Sequence, residues 1–396
     1  MKEFLVNTFK GDRVLWIVFV ALLAFSSVEM YSASSTLAFK HANYFSPVWS
    51  HIVFLCVGFL VAYITHILPR NLVMYASPCI LLFALVFLLI TLLSGHAVNG
   101  ANRWTTFMGL NFQPSELGKL ALVLNLAILL QFYNHELFFT KKTTFWVSIG
   151  LTSLVVGLIF TENFSTAFLS FTTAMTMMFC GRIPLKWLAG VMGSLVVAVA
   201  LFFLVAMVLP SNPVTHRAKV WVQRIEDFSS KTQEEDKFKV DDKNFQAVHA
   251  KIALSNSNFV GRGIGNSIER DILPLAFADF IYSIIIEELG IAGGVLVVLL
   301  YLIVLYRAAK IAQASESVYS ALLVLGLATM IVLQAFINMA VAVGIIPITG
   351  QPLPLISRGG TSIIITCAYF GIMLGVSRMN DKKATVAVKK EKKKDE

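Results

Sequence analysis

Between residues 14 and 378 the chain is built largely of apolar runs about as long as a bilayer is thick. Ten candidates stand out: 14–34, 47–68, 73–94, 115–133, 143–161, 164–181, 186–209, 277–306, 318–343 and 360–378. A helix needs ~20 predominantly apolar residues to cross the hydrocarbon core, so these runs predict ten crossings. Composition agrees. Of the 396 residues, 57% are hydrophobic and 14% charged, whereas soluble domains carry roughly 25% charged residues. Such a chain lacks the polar surface to cover itself in water. The expected fold is an all-α polytopic membrane protein with about ten transmembrane helices. The first run, from Val14, has no small-residue cleavage site followed by a soluble domain, and is read as a permanent span.

The short joins alternate in positive charge. One set carries Lys2, Lys10 and Arg13, then Arg70, then Lys141 and Lys142, then Arg182 and Lys186, then Arg307 and Lys310. The other carries only Lys40, Arg103 and Arg358. The positive-inside rule then predicts that both termini are cytoplasmic, in a cytoplasmic (inner) membrane. Residues 1–378 form a single transmembrane domain, with a large extracytoplasmic loop, 210–276, between helices 7 and 8. That loop holds ten Lys/Arg and nine Asp/Glu. Its middle, 229–244, is expected to be disordered, and its second half, 245–276, to fold back on the membrane surface. Residues 379–396 read as a disordered basic tail, with seven lysines against three acids from Lys382 onward. The tail suits contact with anionic lipid, not nucleic acid. Cys56, Cys79, Cys180 and Cys367 lie in apolar runs without metal-ligand spacing, and are expected to be small buried hydrophobes.

Four polar clusters gather on the predicted outer face. The first is Asn99-Gly-Ala-Asn-Arg103-Trp104, followed by Gln113-Pro-Ser-Glu116-Leu-Gly-Lys119. Glu116 and Lys119 share a helix face. They are either an ion pair that helps a helix begin or, with Arg103, a source of charge for an anionic ligand. The second, Gly261-Arg262-Gly-Ile-Gly-Asn-Ser267, is a turn or an anion-binding concavity. The third runs from Leu273 through Asp279 to Glu287-Glu288-Leu-Gly290. It places a carboxylate at the mouth of a span and two more about 12 Å deeper. In an apolar helix those two must be neutral, paired or beside water. The fourth, Pro347 to Ser362, holds three prolines and three glycines and cannot be a regular helix. Irregular backbone at this depth must be buried in protein or line a cavity.

Taken together, these segments and Tyr31-Ser-Ala-Ser-Ser35 resemble the SEDS family (shape, elongation, division, sporulation) over nearly the whole chain and in the right order. The Gly-Ile-Gly-Asn-Ser267 wording is more similar to its division branch than to its elongation branch. The resemblance implies a ten-span peptidoglycan glycosyltransferase that polymerises lipid II at the outer face. It also implies a class B penicillin-binding protein transpeptidase as partner, alongside other divisome membrane proteins and membrane lipid. The family's essential loop aspartate falls on Asp279. The chain departs from the usual pattern at Leu275, Phe277, Ala278, His249, Ala250, Asn163 and Arg358.

The implied roles are Asp279 as catalytic base and Arg103, Glu116, Lys119, Arg262, Ser357 and Arg358 around the substrate. No cofactor is required by the residues, although a divalent cation (Mg or Mn) could help to balance pyrophosphate charge. A flippase or transporter would also have ten helices and broken segments, but would need access from both faces. An elongation-type polymerase and a pure scaffold are the other readings.

Overall fold

The computed structural model describes residues 10–33, 46–94, 105–107, 110–135, 140–208, 222, 245–273 and 277–395. Its elements, in order, are α1 Arg13–Ala33, α2 Ser46–Ile67, α3 Arg70–Ser94, β1 Thr105–Phe107, β2 Leu110–Phe112, α4 Pro114–His135, α5 Lys141–Glu162, α6 Phe164–Cys180, α7 Leu185–Val208, α8 Phe245–Ser255, α9 Glu269–Ile272, α10 Ile281–Gln313, α11 Val318–Ala342 and α12 Thr361–Asp395. Among the described residues, eight of these helices are long and apolar enough to cross a membrane, and Phe164–Cys180 and Leu185–Leu201 are shorter apolar helices. Each of the ten expected spans therefore has its helix, and the chain is a multi-pass membrane protein.

Local chemistry sets several helix ends. Pro114 opens α4, where its missing N–H costs nothing. Asp12 precedes α1 and accepts the Leu15 N–H at 2.9 Å, and its other oxygen pairs with Arg307 of α10. At the α5–α6 corner the Asn163 side chain accepts from Ser165 N at 3.0 Å, so the asparagine that departs from the family's pattern is the N-cap of α6.

Packing follows exposure. Of the spanning part of α12, 83% is buried, against 22% for α2 and for α3. α12 lies along α2 with almost no side chain between them. A Cβ on Gly371 would sit 1.9 Å from Thr65 Oγ1 and 2.2 Å from the Ala62 oxygen, and one on Gly58 would sit 2.7 Å from Cys367 Sγ. Small residues that admit such close backbone approach are the usual means of helix association in lipid, where the hydrophobic effect offers no drive.

Four sequence expectations are revised. First, the join between α3 and α4, expected to carry the polar cluster Asn99–Trp104 and no regular element, contains an antiparallel β1–β2 pair in which Thr105 faces Phe112 and Phe107 faces Leu110. Second, the span expected to start at 277 begins at Ile281 and is broken at Gly290, whose φ is 73°. Third, only Cys367 is buried, while Cys56, Cys79 and Cys180 are exposed on their helices, because a lipid-facing surface accepts a thiol as readily as a core does. Fourth, the last span, expected to end at 378, belongs to a helix whose backbone runs on to Asp395, in keeping with the good helix propensity of Lys, Ala and Glu. The second half of the large loop forms α8, which packs against α10 and α11. The stretch expected to be disordered, 229–244, lies outside the described residues.

Candidate active site

The turn Phe277–Phe280 precedes α10 and carries Asp279, which is half-buried. Three successive carbonyls of this turn are held from outside it. Phe277 O accepts from the Arg358 N–H at 3.0 Å, Ala278 O from Ser357 Oγ at 2.5 Å, and Asp279 O from Asn338 Nδ2 at 2.8 Å. A turn at a helix mouth would ordinarily leave such acceptors to water. Here protein donors take all three.

The donors belong to α11 and to the proline-rich segment 347–360, which is itself threaded through fixed points. Gln334 Nε2 donates to Pro352 O at 3.0 Å, Asn338 Nδ2 to Gln351 O at 2.7 Å, Tyr301 OH to Pro354 O at 2.5 Å, and Ser26 Oγ to Ile356 O at 3.1 Å. Gln351 Nε2 reaches Thr166 Oγ1 on α6 at 2.6 Å. Between these anchors Leu355 is held at φ 66°, a conformation that costs a non-glycine residue ~1–3 kcal/mol and survives only when its surroundings over-determine it. The run Leu353–Ser357 is buried throughout and its flanks are half-buried or buried, so protein encloses most of this irregular segment, one of the two states expected for it.

The glycine-rich loop is spliced into the break of α10. In an unbroken helix the N–H groups of Ile291 and Ala292 would bond the carbonyls of Glu287 and Glu288. Instead Ile291 N and Ala292 N donate to Asn258 O and Phe259 O, each at 3.3 Å. Arg262 N and Gly263 N take the two vacated carbonyls at 3.0 and 2.8 Å. All four groups freed by the break are thus satisfied, as an apolar surrounding requires. The side chains follow the same logic. Glu287 accepts from Ser267 Oγ and from Ile268 N and Glu269 N, both at 3.3 Å, and so caps α9. Glu288 accepts from Ser32 Oγ and lies 3.8 Å from Arg270 Nη1. Glu288 is therefore paired with Arg270, one of the three states expected for it, although its Oε2 has no hydrogen-bond partner, and Glu287 is met by hydrogen bonds instead. His249, at a departure from the family's pattern, meets Glu269 at 2.6 Å.

The remaining expected site residues are placed as follows. Glu116 and Lys119 form an ion pair of 2.7 Å. Lys119 is fully buried and also donates to Gln334 Oε1 at 2.7 Å, so its charge is compensated inside the bundle. Ser357 is buried with its hydroxyl engaged at both ends, since it also accepts from Leu353 N at 2.8 Å. The Arg358 guanidinium lies 5.6 Å from the centre of the Phe277 ring, and burial pulls its pKa below the usual arginine value. It stays charged nonetheless. Arg262 is exposed on the spliced loop, with Nε 3.5 Å from Asn256 O. Arg103 and Leu275 lie outside the described residues. The structure thus brings Asp279, Ser357 and Arg358 together and ties Glu116 to Lys119.

Sequence reasoning missed Gln334, Asn338 and Gln351. The available signal was Gln334 and Asn338, polar, four apart, and therefore on one face of an otherwise apolar helix. Among the described residues, no group of three or more His, Cys, Asp or Glu side chains is placed to hold a metal ion. An apolar groove of about 380 Å³ opens laterally between α3, α4 and α12, lined by residues that include Cys79, Phe83, Phe112 and Ile365.

Among the described residues, eight helices long enough to span and two shorter apolar ones surround a polar site of irregular, hydrogen-bonded backbone, the arrangement of a polytopic membrane protein. The chain belongs to the cell cycle protein family of FtsW, RodA and SpoVE, whose model matches residues 12–382. A probable peptidoglycan glycosyltransferase FtsW from Geobacter metallireducens is 30% identical over 373 residues, 92% of this chain and 94% of that one. Its namesake in Haemophilus influenzae is 31% identical over 376 residues, 93% of this chain and 91% of that one. A chain from a solved peptidoglycan synthase complex that coordinates polymerization and crosslinking matches with a TM-score of 0.72 at 24% identity, covering 93% of this chain and 98% of that chain. The rod shape determining protein RodA of Thermus thermophilus matches at 0.65 and 24% identity, covering 94% of this chain and 98% of that one. These two structures share the fold.

Proposed function

We propose that the chain is a peptidoglycan glycosyltransferase of the FtsW type that polymerises lipid II into β-1,4 glycan strands, with Asp279 as the catalytic base. The observation that carries the assignment of Asp279 is the turn it sits on. Three consecutive carbonyls of that turn are held by Arg358, Ser357 and Asn338, which fixes a half-buried carboxylate at a helix mouth. A rigidly held base at the reacting geometry is what proton transfer in a transition state needs.

In this reading Asp279 takes the proton from the 4-hydroxyl of one lipid-linked disaccharide. The oxygen attacks the anomeric carbon of the other and displaces undecaprenyl pyrophosphate with inversion. Arg358, Arg262 and Arg103 are the cations offered to the departing pyrophosphate. Glu116, Lys119 and Ser357 act by ordering the cavity, because their polar atoms are already engaged. The lateral groove beside Phe83 and Phe112 suits a polyprenyl tail.

The charge alternation of the joins supports cytoplasmic termini and a site facing out of the cytoplasmic membrane. The synthase complex among the structural neighbours supports a penicillin-binding protein transpeptidase as partner. The test is polymerisation of purified lipid II by the purified chain with its transpeptidase. Glycan product from the wild type, formed ~10²–10⁴-fold more slowly by Asp279→Asn, supports the assignment. Product from neither, with both folded, removes the activity.

A further inference from the structure

Asn338 stands on α11 one turn after Gln334, and its single amide nitrogen donates to two carbonyls from two different irregular segments, Asp279 O at 2.8 Å and Gln351 O at 2.7 Å. The orientation of the amide is dictated by chemistry. Both partners are acceptors, so only the NH2 can face them. Its own oxygen is buried with no hydrogen-bond partner, and the residue is 1% exposed. A polar side chain left half-satisfied in this way is costly in an apolar bundle, and what offsets the cost is the pair of bonds its nitrogen makes.

Neither the 277–280 turn nor the 347–360 segment is regular, and Phe280, the N-cap residue of α10, gives that helix no side-chain cap. α11 is a continuous helix, largely enclosed. Asn338 is thus the side chain through which a rigid element sets both the Asp279 backbone and the segment that bonds Ala278 and Phe277. Gln334, a turn away, uses both ends of its amide: Oε1 accepts from Lys119 Nζ and Nε2 donates to Pro352 O.

We infer that Asn338 is a positioning residue for the glycosyl transfer, acting through Asp279. The inference rests on the reading of Asp279 as base. Asn338 touches the Asp279 backbone and the 347–360 segment. Its effect is to keep the carboxylate at its working distance, and a displacement of about 1 Å can cost ~10²-fold in rate.

A double-mutant cycle on the full chain with its transpeptidase, using purified lipid II, tests this. Asn338→Ala alone should lower kcat by about 10²-fold with KM little changed. In the Asp279→Asn background the same substitution should cost less than about twofold, because no base remains to be positioned. An equal fractional loss in both backgrounds, or no loss in either, overturns the inference. If Asp279→Asn polymerises at the wild-type rate, the base reading fails, and any loss from Asn338→Ala in that background shows that Asn338 does not act through Asp279. Should Asn338→Ala fail to insert, the cycle is run with Asn338→Ser, which keeps one donor. The same non-additivity is expected, and additive losses overturn it.

Discussion

Gly261 and Gly290 meet backbone to backbone. A Cβ on Gly261 would fall 2.3 Å from the Gly290 nitrogen, and one on Gly290 would fall 2.3 Å from the Phe259 oxygen. Both residues have positive φ, 77° and 73°. Two segments more than 25 residues apart in sequence are thereby joined into one hydrogen-bonded unit beneath the candidate site. Gly290→Ala should lower the melting temperature in detergent and prevent the loop from docking, since the backbone strain alone is worth ~1–3 kcal/mol. Gly190→Ala on α7, where a Cβ meets nothing within 4 Å, is the control and should melt like the wild type or slightly above it. Equal melting of all three would mean that the splice contributes nothing.

Asp279→Asn keeps the shape of the side chain and removes its basicity. Polymerisation of lipid II should fall by a factor of ~10²–10⁴, with insertion and partner binding unchanged. A rate near that of wild type would reduce Asp279 to a helix cap, and the search for a base would move to Glu116 and Glu162.

Removing one member of the buried Glu116–Lys119 pair strands the other. Lys119→Ala should destabilise the protein by ~3–5 kcal/mol, which would be read as loss of folded protein after extraction. The double substitution Glu116→Gln with Lys119→Met should recover folding. If Lys119→Ala instead folds normally and loses only polymerisation, the lysine reaches substrate and its enclosure by Glu116 and Gln334 opens during the reaction.

Topology is open to labelling. A cysteine at Lys237 should react with a membrane-impermeant thiol reagent added outside the cell, and one at Lys389 should not, with Cys56, Cys79, Cys180 and Cys367 replaced by serine. The reverse pattern would invert the orientation and place the candidate site in the cytoplasm.

The ten spans were legible because hydrophobicity over ~20 residues is a property of the local chain alone, and a bilayer leaves such a run one satisfactory backbone form. The glycine and proline content of 261–267 and 347–362 likewise announced irregular backbone, and Asp279 was singled out by its place at the start of a span together with a family resemblance. Spacing also suggested the Glu116–Lys119 pair, since three residues along a helix bring side chains together.

What spacing could not supply is which distant groups answer the freed backbone polar atoms. That Arg262 and Gly263 fill the break at Gly290, that Lys119 is spent on Gln334 as well as Glu116, and that Asn338 holds Asp279 and Gln351 at once are contacts across tens to hundreds of residues. Local sequence determines that a helix must break or a carboxylate must be paired, because the cost of a bare polar group in an apolar medium is the same everywhere. The choice of partner is made only when the helices pack, because it depends on which faces come within 3 Å of one another.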